Sequence, residues 1–281
     1  MIVEEIKTDT VYELSPHNHA YINPYIGCSM GCPFCYWLKQ EDWEGKIKVK
    51  TNIPNSFYRS RKREGRTARP FGRRAILEEL LEDKLKDWPQ NEFLYLGSVC
   101  DPFNELEEKY HLSEKCLKVI AKYDIPVLIT TSAATDVVLE YSDLLKSIKK
   151  LIVVIELSRI PFVENLNQGG IHRGIQCANI LREHGMKVWT TLAPVLPGIT
   201  DLDQILKLLH EEIPVYIDKL DCNAEDILGK RTLKWIYEEY PEFSDEYDKI
   251  IKEHDFSYFS KIEKKYAENR RVKKFPFQLT D

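Results

Sequence analysis

No apolar run in this sequence of 281 residues approaches the length of a membrane span. Runs such as Val127 to Ile129 and Leu151 to Ile155 have the length of strands, whereas a bilayer needs about 20 residues, so no membrane association is expected. The opening stretch MIVEEIKTDTVYEL lacks an apolar leader, and the sequence holds no low-complexity linker. Neither sign of charge dominates. Against 40 Lys and Arg stand 45 Asp and Glu, a net charge of -5, which favours solubility and exerts no global pull on nucleic acid. Seven cysteines are an odd count and a poor basis for a disulfide framework. The expected location is therefore the cytoplasm, where thiols stay reduced.

What is present is enough apolar material for a substantial core, 43% hydrophobic residues against 30% charged. One short segment concentrates the chemistry. Within NPYIGCSMGCPFCY, Cys28, Cys32 and Cys35 stand at the spacing C-x3-C-x2-C, with Gly27 and Gly31 beside the first two and Pro33 stiffening the exit. A structural zinc site would call for a fourth Cys or His nearby, but the nearest His is His19 upstream and the next Cys is Cys100. Electron-carrying iron-sulfur proteins usually offer four thiolates per cluster. Three thiolates leave one iron of a cuboidal cluster open to a ligand, which is the arrangement of a reaction site. A non-catalytic iron-sulfur protein and a zinc protein remain the alternatives on these residues alone.

From Glu92 onward, short β-branched or aromatic runs alternate with segments of helical period, the pattern of successive strand-helix units and a parallel sheet. The expected strands are 20 to 26, 93 to 97, 126 to 131, 151 to 157, 187 to 193 and 215 to 220. Apolar stripes at Ile76, Leu77, Leu80, Leu81, Leu85 and Trp88, at Val137 to Ile148, and at Leu202 to Leu209 predict helices. Ser113 and Asp136 or Thr135 are the expected caps. Ile47 to Arg74 reads as a long excursion between the cysteine motif and the first helix, with a basic run from Arg59 to Arg74. From Arg231 to Lys274 the sequence is rich in Glu, Lys and Tyr at helical spacing. The domain reading is a core over residues 1–225 and a helical extension over residues 226–281.

The segment GCSMGCPFCYW resembles the signature of the radical SAM enzymes. The ordered blocks NPYIGCSMGCPFCY, GSVCDPFNELE, ITTSAATDVVLEYSDLL, LSR and APVLPG resemble those of the spore photoproduct lyase-like branch, over roughly residues 20 to 220. The resemblance implies an α/β fold, a partial (β/α)6 TIM-type barrel with a helical C-terminal appendage. It also implies a 4Fe–4S cluster held by Cys28, Cys32 and Cys35, S-adenosyl-L-methionine on the open iron, and an external one-electron reductant such as flavodoxin or ferredoxin.

Catalytic groups of parallel barrels project from the carboxyl ends of strands. The residues there are polar: Ser98, Cys100, Asp101 and Asn104, then Thr131 and Ser132, then Glu156, Ser158 and Arg159, then Thr191, then Asp221, Cys222 and Asn223. By the resemblance, Phe34 lies beside the adenine of the cofactor, and Tyr36, Ser98, Ser132, Glu156, Ser158 and Arg159 complete its binding. Two departures stand out: GSVCDP replaces a Gly-Gly-Glu segment, and Thr131 stands where relatives often carry Lys. Arg159 is the replacement candidate for carboxylate recognition. Cys100, with Cys222 second, is the expected hydrogen donor to a substrate radical. Cys116 and Cys177 fall on apolar helix faces and read as packing residues.

For substrate, a redox-neutral change such as epimerisation of a small molecule or peptide is favoured. Nucleic-acid repair is the alternative, supported by the run Arg59 to Arg74 and the tail Arg270, Arg271, Lys273 and Lys274.

Overall fold

The computed structural model describes residues 2–7, 12–14, 20–28, 32–35, 46–51, 77–90, 92–97, 100–158 and 173–274. Its strands are β1 (Ile2–Lys7), β2 (Tyr12–Leu14), β3 (Ala20–Ile22), β4 (Tyr25–Cys28), β5 (Lys46–Thr51), β6 (Leu94–Leu96), β7 (Pro126–Thr131), β8 (Lys150–Glu156), β9 (Lys187–Leu192), β10 (Val215–Ile217) and β11 (Val272–Lys274). Its helices are α1 (Leu77–Leu85), α2 (Glu107–Tyr110), α3 (Leu112–Ile120), α4 (Val137–Glu140), α5 (Ser142–Lys146), α6 (Arg173–Glu183), α7 (Leu202–Leu208), α8 (Ile227–Glu239), α9 (Ser244–Lys252) and α10 (Ser257–Lys265). The main sheet has the strand order β11-β10-β9-β8-β7-β6-β3-β2. The anticipated strands β3 and β6 to β10 lie in sequence order within it, and the sheet is open, an α/β partial barrel.

The chain forms two compact units. The first comprises residues 1–29, 43–131 and 135–153. Here β3, β6 and β7 run parallel, and β2 joins β3 antiparallel. Alternate residues of these strands, Ile22, Leu94, Leu96, Val127 and Ile129, are buried with Leu81, Leu85, Leu117 and Ile120 of α1 and α3. A second, smaller sheet has the order β1-β5-β4, and in its register Cys28 faces Lys46.

Residues 20 to 26 do not form the single strand expected. Pro24 brings no N–H to a ladder, and it restricts Asn23 before it. The chain therefore leaves the main sheet after Ile22 and re-enters structure at Tyr25, in the small sheet. The stripe from Val137 to Ile148 likewise divides into α4 and α5 around Tyr141.

The second unit comprises residues 30–42, 132–134 and 154–281. Strands β9, β10 and β11 run parallel, and Val188, Leu192, Val215 and Ile217 are buried. Helix α7 is capped by Asp201, which accepts from the Gln204 N–H at 2.9 Å. Helix α8 is capped in the same way by Asp226, which accepts from the Gly229 N–H at 2.6 Å. The residues after Asn223 fold into α8, α9 and α10, with Tyr247, Ile250 and Ile251 buried. Their last described residues add β11 to the sheet. Arg271, at the entry to β11, donates to the carbonyls of Leu206, Leu209, His210 and Ile213 at 2.8–3.2 Å, satisfying acceptors around the C-terminal end of α7. No helix among the described residues is long and apolar enough to cross a membrane.

Candidate functional site

The backbone of Cys28 ends β4. Its side chain lies outside the described residues, as do Tyr36, Ser98, Arg159 and the basic run from Arg59 to Arg74. Cys32 and Cys35 share one tight turn, closed by the Cys35 N–H donating to the Cys32 carbonyl at 3.0 Å. Pro33 occupies the second position of that turn, where its fixed φ suits the bend. Cys32 is 3% exposed and Cys35 is more open. Phe34, between them, is buried with its ring 5.8 Å from that of Trp235 in α8. The Thr232 hydroxyl, on the same helix, donates to the Pro33 carbonyl at 3.4 Å.

In the first unit, the turn after β6 begins at Gly97, whose φ is +85°. A Cβ there would stand 2.4 Å from Pro102 and 2.5 Å from the Thr130 carbonyl, so the site admits only glycine. Cys100 follows, 5% exposed, its Sγ 3.8 Å from the Asp101 carbonyl. The Asp101 carboxylate accepts from the Phe103 N–H at 3.0 Å and from the Thr131 hydroxyl at 2.8 Å. Thr131, which stands where the resemblance implies Lys, thus ties the end of β7 to the block carrying Cys100.

Glu107 is the functional-looking group that sequence reasoning missed. It is buried, and its carboxylate accepts from the N–H groups of Ser113 (2.9 Å) and Glu114 (2.8 Å) and from the hydroxyls of Tyr25 and Tyr141 (3.1 Å). It therefore caps the N-terminus of α3 from outside the helix. Nothing in the letters separates it from Glu105 or Glu108 beside it. Ser113, the expected cap, instead lies in the first turn of α3 and donates to the Pro102 carbonyl at 2.6 Å. Asp136 makes no side-chain cap, and Thr135 donates to the Phe103 carbonyl at 2.6 Å.

In the second unit, Glu156 ends β8 half-buried and accepts from the Ser158 N–H at 2.8 Å. Ser158 is 1% exposed, and its hydroxyl has no hydrogen-bond partner among the described residues. Ser132 is buried, as is Thr191, whose carbonyl accepts from the Leu157 N–H at 2.8 Å. Cys222 is 3% exposed. After β10, burial pushes the Asp218 carboxyl above the usual carboxylate range. Lys219 pairs with Asp221 at 2.8 Å and sits 3.9 Å from the Phe256 ring centre. Cys116 and Cys177 are buried in α3 and α6.

No protein-family model matches the sequence. An uncharacterized protein of Methanocaldococcus jannaschii is 24% identical over 197 residues, which are 66% of this chain and 63% of that protein. Among solved structures, spore photoproduct lyase complexed with dinucleoside spore photoproduct aligns over 85% of this chain and 66% of its own, with a TM-score of 0.54 and 14% identity. A mutant of that lyase with bound AdoMet and the dinucleoside photoproduct gives 0.52 and 13% over the same shares. This chain has the fold of spore photoproduct lyase. It spans less than two thirds of the length of that lyase and of the M. jannaschii protein.

The likeness to spore photoproduct lyase in fold agrees with the branch that the motif blocks resemble. On that fold the structure joins the candidate residues in pairs: Cys32 with Cys35, Glu156 with Ser158, and Asp101 with Thr131. No group of three His, Cys, Asp or Glu side chains is placed to hold a metal ion among the described residues, which exclude the Cys28 side chain. The donor set itself suits an iron-sulfur cluster, because two cysteines on a single turn offer soft thiolate ligands. The basic tail divides between a half-buried Arg271 and the exposed Arg270, Lys273 and Lys274. Arg271 binds the α7 carbonyls, Lys274 lies 3.3 Å from Glu263, and Lys273 lies 5.8 Å from the Tyr216 ring centre.

Proposed function

We propose that this protein is a radical SAM enzyme acting on a small molecule or peptide in a redox-neutral, epimerisation-like modification. The observation that carries the proposal is the C-x3-C-x2-C motif, with Cys32 and Cys35 on one hydrogen-bonded turn and no fourth Cys in the neighbourhood. In this reading Cys28, Cys32 and Cys35 hold three irons of a 4Fe–4S cluster. With S-adenosyl-L-methionine and an electron from a flavodoxin or ferredoxin, such a cluster would supply the reductive cleavage to a 5'-deoxyadenosyl radical that takes a hydrogen atom from substrate.

The chain's own residues bind, orient and exclude water. Ser132, Glu156 and Ser158, with Phe34, Tyr36, Ser98 and Arg159, are assigned to the cofactor. The buried Ser158 hydroxyl, with no partner among the described residues, supports this, since such a group is costly unless a ligand completes its bonding. Glu156 offers a negative charge to the ammonium of a zwitterion. Cys100 and Cys222 are assigned as hydrogen donors. Both are buried, and a thiol has a hydrogen atom that it can hand to a carbon radical. Residues 1–225 form the core in this reading, residues 226–281 its helical extension, and the cytoplasm its location.

Anaerobic reconstitution with iron, sulfide, reductant and S-adenosyl-L-methionine should release 5'-deoxyadenosine and methionine. Alanine at Cys28, Cys32 or Cys35 should stop the release, and turnover that survives these changes would end the proposal. A cluster whose paramagnetic spectrum ignores S-adenosyl-L-methionine would mark a non-catalytic iron-sulfur protein instead.

The likeness to a lyase complexed with a dinucleoside photoproduct favours one second reading, repair of nucleic acid. A protein making six or more phosphate contacts loses about 10³-fold or more in affinity between about 50 and 200 mM salt. Gel shifts with damaged and intact DNA over that range separate the readings, and weak, flat binding removes repair.

A further inference from the structure

We propose that helix α8 is a clamp on the Cys32–Cys35 turn, with Trp235 and Thr232 as positioning residues for two of the cluster thiols. The proposal rests on the cluster reading above and adds to it the element that orders the ligands.

Four residues closed by one backbone hydrogen bond do not hold a shape on their own, because an isolated turn gains little against the entropy of ordering it. The two residues between the thiols supply the missing restraint. Phe34 is buried against Trp235, and the Pro33 carbonyl receives the Thr232 hydroxyl. Thr232 and Trp235 stand three apart, so they present one face of α8 to the turn. Both are buried, while Lys234 between them is exposed. With Cys32 and Cys35 flanking this double contact, the anchoring of Pro33 and Phe34 fixes where the two thiols start.

The helix is in turn fixed at both ends. At its start, Asp226 caps Gly229, which lies so close to the Asn223 carbonyl that a Cβ would stand 1.9 Å from the oxygen. At its end, the Trp235 ring meets Tyr240 edge-on at 5.2 Å, and Tyr240 stacks on Phe243 at 6.5 Å. Phe243 closes on Gly198, where a Cβ would be 2.5 Å from its ring. An unbroken run of rings therefore links the thiol turn to the loop that follows β9. The helix lies beyond the strand-helix repeat, so the region outside the barrel core supplies order to the metal ligands.

The test uses the full chain in two states. In the iron-free protein, alkylation of each cysteine by N-ethylmaleimide is followed by peptide mass spectrometry, since thiol reactivity tracks exposure. Thr232→Val and Trp235→Leu should each raise the Cys32 rate about tenfold, the factor equivalent to about 1.4 kcal/mol. Trp235→Phe, which keeps a ring against Phe34, should restore it, and Lys234→Ala should leave it unchanged. Buried Cys116 and Cys177 report general loosening. Should Thr232→Val leave Cys32 protected, or raise Cys116 and Cys177 equally, the clamp is overturned.

In the reconstituted protein, release of iron to a chelator should be faster by a similar factor in Thr232→Val and Trp235→Leu, and equal rates would overturn the clamp as well. If the wild-type chain takes up no iron, the cluster reading fails, while the alkylation rates still decide whether α8 orders the turn.

Discussion

Replacing Glu107 tests the first unit at its most connected buried group. Two main-chain N–H groups of α3 and two phenols converge on its carboxylate. Each hydrogen bond to a charged acceptor is worth about 1.5–3 kcal/mol, but the carboxylate had to leave water to accept them. Removing it leaves two phenols and two N–H groups without their acceptor, and buried donors left unsatisfied cost about 1–3 kcal/mol each, so Glu107→Ala should lose about 3 kcal/mol or more. Tyr25→Phe deletes one donor of the four and should cost about 1.5–3 kcal/mol. The double variant should lose less than the sum of the two, by about 0.5–3 kcal/mol, because both changes break the same bond. Urea unfolding of the iron-free chain, followed by far-ultraviolet circular dichroism, measures all three. A Glu107→Ala cost below about 1 kcal/mol, or strict additivity with Tyr25→Phe, would refute the view that this carboxylate holds α3 and β4 together.

Other positions give sharper, smaller tests. Gly97→Ala meets Pro102 and the Thr130 carbonyl at under 3 Å in a left-handed turn; it should cost about 2 kcal/mol or more, and a neutral result by thermal melting would contradict the geometry. Arg271→Ala should cost about 2 kcal/mol through four orphaned carbonyl contacts, and Arg271→Lys should fail to rescue it, because a single ammonium cannot span the fork; full rescue in urea titrations would argue for charge alone. Burial pushes the phenols of Tyr25, Tyr141 and Tyr247 above their ordinary range, helped at the first two by Glu107. The folded chain thus keeps protons that the unfolded chain gives up near pH 10, so stability present below that pH is lost as pH rises through it. Tyr247→Phe removes a buried hydroxyl with no partner among the described residues; it should flatten the alkaline fall of the urea midpoint and raise stability at neutral pH by about 1 kcal/mol, and a steeper fall would count against the assignment.

Much of the main sheet was legible because its strands are short apolar runs separated by helical stripes, and such periodicity is local. Leu94–Leu96, Pro126–Thr131, Lys150–Glu156, Lys187–Leu192 and Val215–Ile217 lie within or almost within the ranges expected. The strands not anticipated were β1, β2, β5 and β11. Segments such as IVEEIK, KIKVKT and VKK mix charge with apolar residues, and their pairing is a long-range matter that no local window contains. The break at Asn23–Pro24 was written in the letters and outweighed by the apolar residues around it. In the site, spacing alone singled out the three cysteines. Glu107, the Asp101–Thr131 bond and the Thr232–Pro33 contact join residues 82, 30 and 199 positions apart respectively, counting Glu107 from its Tyr25 partner, and no sequence period registers such pairs.

The facing of Cys28 and Lys46 in the small sheet means that the chain departs and returns at one rung of a ladder. The sequence between them, which carries Cys32 and Cys35, begins and ends on paired strands. Doubling the length of such a connection adds only about 0.6 kcal/mol of closure entropy. Insertions or deletions between these two strands therefore leave the β4–β5 pairing in register, and the segment that carries the cysteine motif can change in length at little cost.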